Sequence, residues 1–163
     1  MSVSRMEAAD WPRVRTIYEE GLATGAATFE TEAPEWEDWD TSHLAHSRLV
    51  LRNDAQRMLG WAALSGVSDR CAYGGVAEVS VYVGERARGE GVGRTLLEAL
   101  IESSEVQGIW TLQAGIFADN KSSRSLFEHC GFRLVGVRER LGRLNDVWVD
   151  VLLMERRSDV IGC

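Results

Sequence analysis

Lysine is nearly absent from this 163-residue chain: Lys121 is the only one, and arginine carries the rest of the basic charge. Acidic residues outnumber basic ones by 25 to 18, leaving a net charge of −7. Non-specific nucleic-acid binding needs a basic face to neutralise phosphates, so that class of partner is excluded from the expectation. Cysteine is scarce as well. Cys71, Cys130 and Cys163 are odd in number and share no metal-type spacing, which argues against a disulfide framework and a structural zinc site. No apolar run approaches the ~20 residues of a membrane span. The start, Met1 to Glu7, lacks the apolar core of a secretion signal. The expected setting is the cytoplasm, with no metal, membrane or nucleic-acid partner.

The sequence also lacks repeats, low-complexity tracts and linkers, and its two prolines, Pro12 and Pro34, both sit early. One domain over residues 1–163 is expected, long enough to bury a proper core. Hydrophobic residues make up 45% and charged residues 26%, a balance that predicts an ordinary globular fold.

Local patterns order the elements. Asp10 can cap a helix whose first turn tolerates Pro12, with Val14, Ile17, Tyr18 and Leu22 at helical spacing. Pro34 opens a short helix with Trp36 and Trp39 on one side. Strands are predicted at Arg48–Arg52 and Met58–Leu64, joined through Asn53-Asp54. Val76 to Val83 alternates: Val79, Val81 and Val83 share one face, and Glu78, Ser80 and Tyr82 the other. A helix is predicted over Val92–Val106, striped by Val92, Leu96, Leu97, Leu100 and Ile101, and stopped by Gly108. A strand at Ile109–Ile116, a short helix capped by Asn120, and antiparallel strands at Phe132–Arg138 and Val147–Leu153 complete a mixed α and β order around one sheet.

Between the Val76–Val83 strand and the striped helix lies Arg88-Gly89-Glu90-Gly91-Val92-Gly93. Glycines let backbone N–H groups converge, and a helix N-terminus adds positive potential, so the turn suits a diphosphate with Arg88 or Arg94 beside it. A spaced-glycine turn is weak evidence alone. A dinucleotide fold is disfavoured because no repeated βαβ unit follows, and a triphosphate loop would need Gly-Lys-Ser/Thr.

With these flanks the sequence resembles the GNAT superfamily, whose pyrophosphate loop appears as Arg88-x-x-Gly91-x-Gly93. Its next signature, Asn followed by a short helix ending in Gly-Phe, appears as Asn120 through Gly131-Phe132. The resemblance extends over nearly the whole chain to the phosphinothricin-type and arsinothricin-acetylating N-acetyltransferases. It is carried by Ala27-Thr28-Phe29-Glu30, Gly60-Trp61-Ala62, the Glu78–Val83 strand, Trp110 to Phe117, and Glu155-Arg156-Arg157-Ser158. It implies an α/β (α+β) GNAT fold: a single mixed, mostly antiparallel sheet of about six or seven strands with about four helices on both faces. It implies acetyl-CoA as cosubstrate, a small amino-acid-like amine as acceptor, and a homodimer. The pantetheine arm would bond the backbone of Val81, Tyr82 and Val83. The pyrophosphate would sit on Gly89, Glu90, Gly91, Val92, Gly93 and Arg94, and Asn120 would reach the cofactor nearer the thioester while also capping its helix.

Attack on a thioester needs a neutral amine, whereas an α-amine titrating near ~8 is mostly protonated at neutral pH. Glu78 is the expected base. An unpaired carboxylate in a Val-rich strand is costly to bury and tends towards a raised pKa, the alternative being a structural ion pair with an arginine. The resembling family proposes a glutamate here as base, usually through water. A backbone N–H near Ser80 and Val81 would meet the developing oxyanion. Where relatives carry His or Tyr to protonate the departing thiolate, this chain has Phe127, which transfers no proton. The step then falls to water or another residue, or the thiolate leaves unprotonated. His43 and His46, read as surface residues of the second helix, and His129 receive no catalytic role.

An anionic amino-acid substrate requires a local basic group. Arg70, just before the Glu78 strand, is the expected oxyanion fork, or else a solvated loop arginine. Phe29 and Tyr73 are placed as pocket walls, Glu30 as a partner for the ammonium or as a solvent-facing residue, and Val79 and Ser80 on the substrate side. Gly74 and Val149 stand where many relatives carry arginine. The alternatives are acetylation of protein N-termini or another amine, or an acyl-CoA-binding module without catalysis.

Overall fold

Alternation in Val76–Val83 fixes the central strand, and the sheet is built outward from it. The computed structural model describes residues 1–163. Its elements are β1 (Ser2–Arg5), α1 (Trp11–Ala23), α2 (Trp36–Ser42), β2 (Leu49–Arg52), β3 (Met58–Gly66), β4 (Val76–Val83), α3 (Val92–Val106), β5 (Thr111–Phe117), α4 (Lys121–His129), β6 (Arg133–Leu144) and β7 (Val147–Arg157). The seven strands form one sheet in the order β1-β2-β3-β4-β5-β7-β6. Neighbours are antiparallel except for β4 and β5, which run parallel. The expected mixed, mostly antiparallel sheet is therefore present.

Each face of the sheet has its own core. On one side α3 and α4 cover Leu51, Ala62, Leu64, Ala77, Val79, Leu112, Ala114, Ile116, Leu152 and Met154. On the other, α1 and α2 cover Val50, Trp61 and Ala63 with Trp11, Val14, Ile17 and Trp39. The α3 stripe behaves as its spacing predicts: Val92, Leu96, Leu97, Leu100 and Ile101 are all buried. Cutting one such leucine to alanine typically costs about 2–5 kcal/mol, because removed contacts leave a cavity. Gly108, at φ +84°, takes the left-handed conformation just past the helix end. On the opposite side Tyr82 stacks on Trp61, centroids 4.9 Å apart, and Tyr18 meets Tyr82 at the same separation. Gly21 is required there, since a Cβ would sit 2.7 Å from the Tyr82 ring.

Four local expectations are corrected. Asp10 precedes α1 but makes no side-chain cap; its carboxylate accepts from the Glu7 N–H and pairs with Arg52. A long-range ion pair has taken the capping group. β1 was not anticipated, because a four-residue edge strand of largely exposed residues leaves little pattern. β6 and β7 run longer than expected, to Leu144 and Arg157. His43 is half-buried, stacked on Trp39 at 4.1 Å with its Nδ1–H donating to the Trp39 carbonyl at 2.7 Å.

Candidate active site

The register of β4 and β5 creates the site. Only Val76, Ala77 and Glu78 pair with Thr111, Leu112 and Gln113. Beyond that row β4 continues to Val83 and β5 to Phe117 without pairing, so the two strands splay. The facing backbone edges of 79–83 and 114–117 thus lack a strand partner, and buried edges of this kind require another donor or acceptor. Glu78 stands at the vertex of the wedge.

The wedge opens into a cleft of about 880 Å³. Its first wall is β4 (Glu78, Val79, Ser80, Val81, Tyr82 and Val83), followed by Arg88, Gly89, Gly91, Val92, Gly93 and Arg94. The N–H groups of Gly89 through Arg94 donate to no protein acceptor. They begin a 15-residue helix whose N-cap, Gly91, has φ +82°, with Gly89 at +80°. Six free amides at a helix N-terminus form an anion-binding concavity, so the residues present fit a diphosphate. A Cβ at Gly89 or Gly91 would touch no protein atom, so the glycines keep the approach from outside open. Arg94 is held by Glu98, Nε to Oε1 2.8 Å, and an Arg88 Nη2 donates to the Glu20 carbonyl at 3.3 Å.

The second wall comes from β5, α4, the α1–α2 loop and the β6–β7 hairpin. Asn120 caps α4 by accepting from the Ser123 N–H at 3.2 Å, and its Nδ2 donates to the Ala26 carbonyl at 3.2 Å. One side chain therefore ties the α1–α2 loop to the cleft. Phe29 packs on Phe117, centroids 4.7 Å apart, beside Gly142, where a Cβ would lie 2.9 Å from its ring. Phe127 lines the cleft from the α3–α4 side, buried edge-on against Phe132 at 4.9 Å.

Several expected residues stand apart from this cleft. Arg70 lies over the Tyr73 ring at 5.8 Å, and both are exposed in the turn before β4, outside the lining. Glu30 and Glu90 are exposed and also outside it. Glu78 does line it but is exposed, so the burial expected of a Val-rich strand is corrected: it stands in the last paired row, where the cleft opens. Nor does Glu78 take part in any ion pair. Burial, and next the neighbouring Tyr18, push the Tyr82 phenol above its ordinary range, so it remains protonated. Gln113 and Arg138 also line the cleft and were not foreseen. Gln113 was visible only as a polar residue in an apolar strand, whereas Arg138 depends on a hairpin register.

The cleft thus joins a parallel pair that splays at a carboxylate to a helix that opens on a glycine turn. The acetyltransferase (GNAT) family model matches residues 11–132. The chain belongs to the GNAT acetyltransferase family. It is 35% identical over 158 residues to the phosphinothricin N-acetyltransferase of Alcaligenes faecalis, covering 90% of this chain and 77% of that protein. It is 30% identical to the L-methionine sulfoximine/L-methionine sulfone acetyltransferase of Pseudomonas paraeruginosa, covering 98% and 96%. The crystal structure of a GNAT superfamily phosphinothricin acetyltransferase from Sinorhizobium meliloti in complex with acetyl-CoA superposes with a TM-score of 0.87 at 28% identity, covering 96% of this chain and 87% of that one. This GNAT chain is thus an acyltransferase.

Proposed function

We propose that the protein transfers an acetyl group from acetyl-CoA to the α-amine of a small amino-acid-like substrate such as phosphinothricin or arsinothricin. The observation that carries this reading is the wedge itself, with a carboxylate at its vertex and free amides at its mouth. Bound acetyl-CoA supplies a thioester carbonyl. The amides of Gly89–Arg94 hold the diphosphate, the unpaired edge of Val81–Val83 bonds the pantetheine amides, and Asn120 sits beside the same path. Glu78, exposed and free of ion pairs, takes the surplus proton of the substrate ammonium, directly or through one water; a placed base typically contributes about 10²–10⁴-fold. Transfer forms the N–C bond and breaks the C–S bond, the nitrogen releases its second proton to solvent as the amide forms, and a backbone N–H near Ser80 and Val81 faces the carbonyl oxygen as charge develops. Phe127 contributes no proton, so the sulfur departs as a thiolate and takes its proton from solvent. Glu30, outside the lining but within electrostatic reach of the Tyr18 and Tyr82 phenols, whose pKa it raises, adds negative charge that favours an incoming ammonium.

The working form is a homodimer. β6 is an edge strand, and the β6–β7 hairpin exposes Val135, Val137, Leu141, Val147 and Trp148, with Val137 and Trp148 on one face by register, an apolar edge of the kind that monomers avoid. The direct test is thiol release from acetyl-CoA against a panel of amino acids, their analogues and N-terminal peptides. Turnover with phosphinothricin or methionine sulfone supports the reading. Turnover with peptides alone would move the substrate to protein N-termini, and CoA binding without any turnover would leave only a binding module.

A further inference from the structure

Three arginines line the cleft, and only one has no partner. Arg94 is held by Glu98 and Arg88 by the Glu20 carbonyl, both at the glycine turn. Arg138 makes no hydrogen bond or ion pair through its side chain, although it belongs to the same lining.

Register shows where it points. Arg138 lies opposite Val151, and cross-strand partners project on the same face. Leu152 and Met154 enter the α3–α4 core, so Val151 projects to the other face. That is also the face of Phe117, which pairs with Val151 and carries Phe29, and of Glu78 on β4, whose neighbours Val79 and Val81 pack on α3. Arg138 and Glu78 therefore look into one side of one cleft. A bulge sets the arginine there: the register shifts between Leu134 and Gly136, so that Arg138 meets Val151 rather than Asp150. A second shift follows between Arg138 and Gly142, where Arg140 takes φ +46° and its N–H donates to Asp150 Oδ1 at 2.7 Å. Bulges beside active sites commonly re-aim side chains in this way.

We infer that Arg138 binds the acidic side-chain terminus of the amino-acid substrate while the α-amine lies at Glu78. The inference rests on the reading that this cleft acetylates an amino-acid amine. In a chain of net charge −7, an anion needs a local cation. Arg88 and Arg94 stand at the diphosphate end, and Arg70 lies outside the lining. Arg138 remains, with a planar fork matched to a carboxylate or phosphinate. Its row on the sheet, that of Phe117, is four residues along β5 from the Gln113 row of Glu78, about 13 Å at strand rise. Three strand spacings of about 4.8 Å separate β4 from β6, so the two backbone positions stand roughly 19 Å apart, a span shared by both side chains and the substrate. A glutamate-sized molecule met by a long arginine side chain suits that span.

The test compares wild type with Arg138→Met and Arg138→Glu at saturating acetyl-CoA, using phosphinothricin, methionine sulfone and ornithine as amines. A far-ultraviolet spectrum and Tm establish that each variant is folded. Arg138→Met raises KM for phosphinothricin by about 10- to 100-fold, the range for losing a charged hydrogen bond, and affects methionine sulfone far less. Arg138→Glu moves the preference towards ornithine, a reversal that a merely structural arginine would not produce. Equal loss on all three amines overturns the inference. Calorimetry of phosphinothricin with the CoA-bound protein separates the two readings. Arginine-dependent binding without turnover sinks the acetyltransferase reading alone. Turnover with an affinity indifferent to Arg138 sinks the inference alone. Wild-type protein with no phosphinothricin affinity overturns the inference as well.

Discussion

The two walls of the cleft are built on different terms. The β4 wall is anchored on both sides, with Val79 and the α3 stripe in one core and Tyr82 against Trp61 near the other. On the β6–β7 wall only β7 reaches the core, through Leu152 and Met154, while β6 and the hairpin end are bare: Val137 is 50% exposed, Trp148 56% and Val147 63%. Residues that hold a common cofactor belong on a self-sufficient scaffold, because their geometry must not depend on a partner. The hairpin ends at a sheet edge, and on the proposed reading it faces the variable part of the substrate and takes its burial from a second chain.

That contrast is open to attack. Gly91→Val should have the largest effect. The new side chain meets no protein atom, so the fold pays only the left-handed strain of about 1–2 kcal/mol, while the diphosphate loses its approach. Forfeiting two charged hydrogen bonds at about 1.5–3 kcal/mol each predicts a Kd for acetyl-CoA raised roughly 100-fold or more. Calorimetry checks it, and unchanged affinity would make the turn merely structural. Next comes the hairpin. Val137→Asp combined with Trp148→Asp should yield monomers by sedimentation, weakening self-association more than about 10-fold through lost apolar burial. Acetyl-CoA affinity, a property of the other wall, should stay within about 2-fold, well below the tenfold step of 1.4 kcal/mol.

Legibility in the sequence divides along the same line. α3, β4 and the Asn120 cap were readable because local spacing decides them: a stripe at Leu96, Leu97 and Leu100, alternation from Val76 to Val83, an amide side chain before a helix. What was not readable depends on distant partners. Asp10 looks like a cap until Arg52 claims it. Glu78 looks buried until β5 diverges, and no alternation pattern encodes a splay. Arg70 was chosen for closeness in the chain to Glu78, whereas Arg138 comes to the cleft through a bulge and three strand registers.

Smaller effects refine the picture. Phe127→Tyr should change kcat by less than about 3-fold if no protein acid is needed, while burying a hydroxyl beside Phe132 costs about 1–3 kcal/mol in stability. A faster enzyme would mean that thiolate protonation limits turnover. The smallest concerns His43, whose pKa is lowered chiefly by burial. Its folded pKa lies below its unfolded one, so its contribution is present above about pH 6.5 and is lost as pH falls through the folded value. Wild-type Tm should therefore drop more between pH 7 and 5 than that of His43→Gln.

The carboxylate at the vertex of the splay is proposed to deprotonate the amine. The most direct measurement is kcat of Glu78→Gln against pH, with acetyl-CoA affinity followed in parallel. Acetyl-CoA affinity should be unchanged, kcat should fall by roughly 10²–10⁴-fold at neutral pH, and the deficit should shrink as rising pH leaves more amine neutral. Wild-type kcat across the whole pH range would contradict it and remove Glu78 from the mechanism.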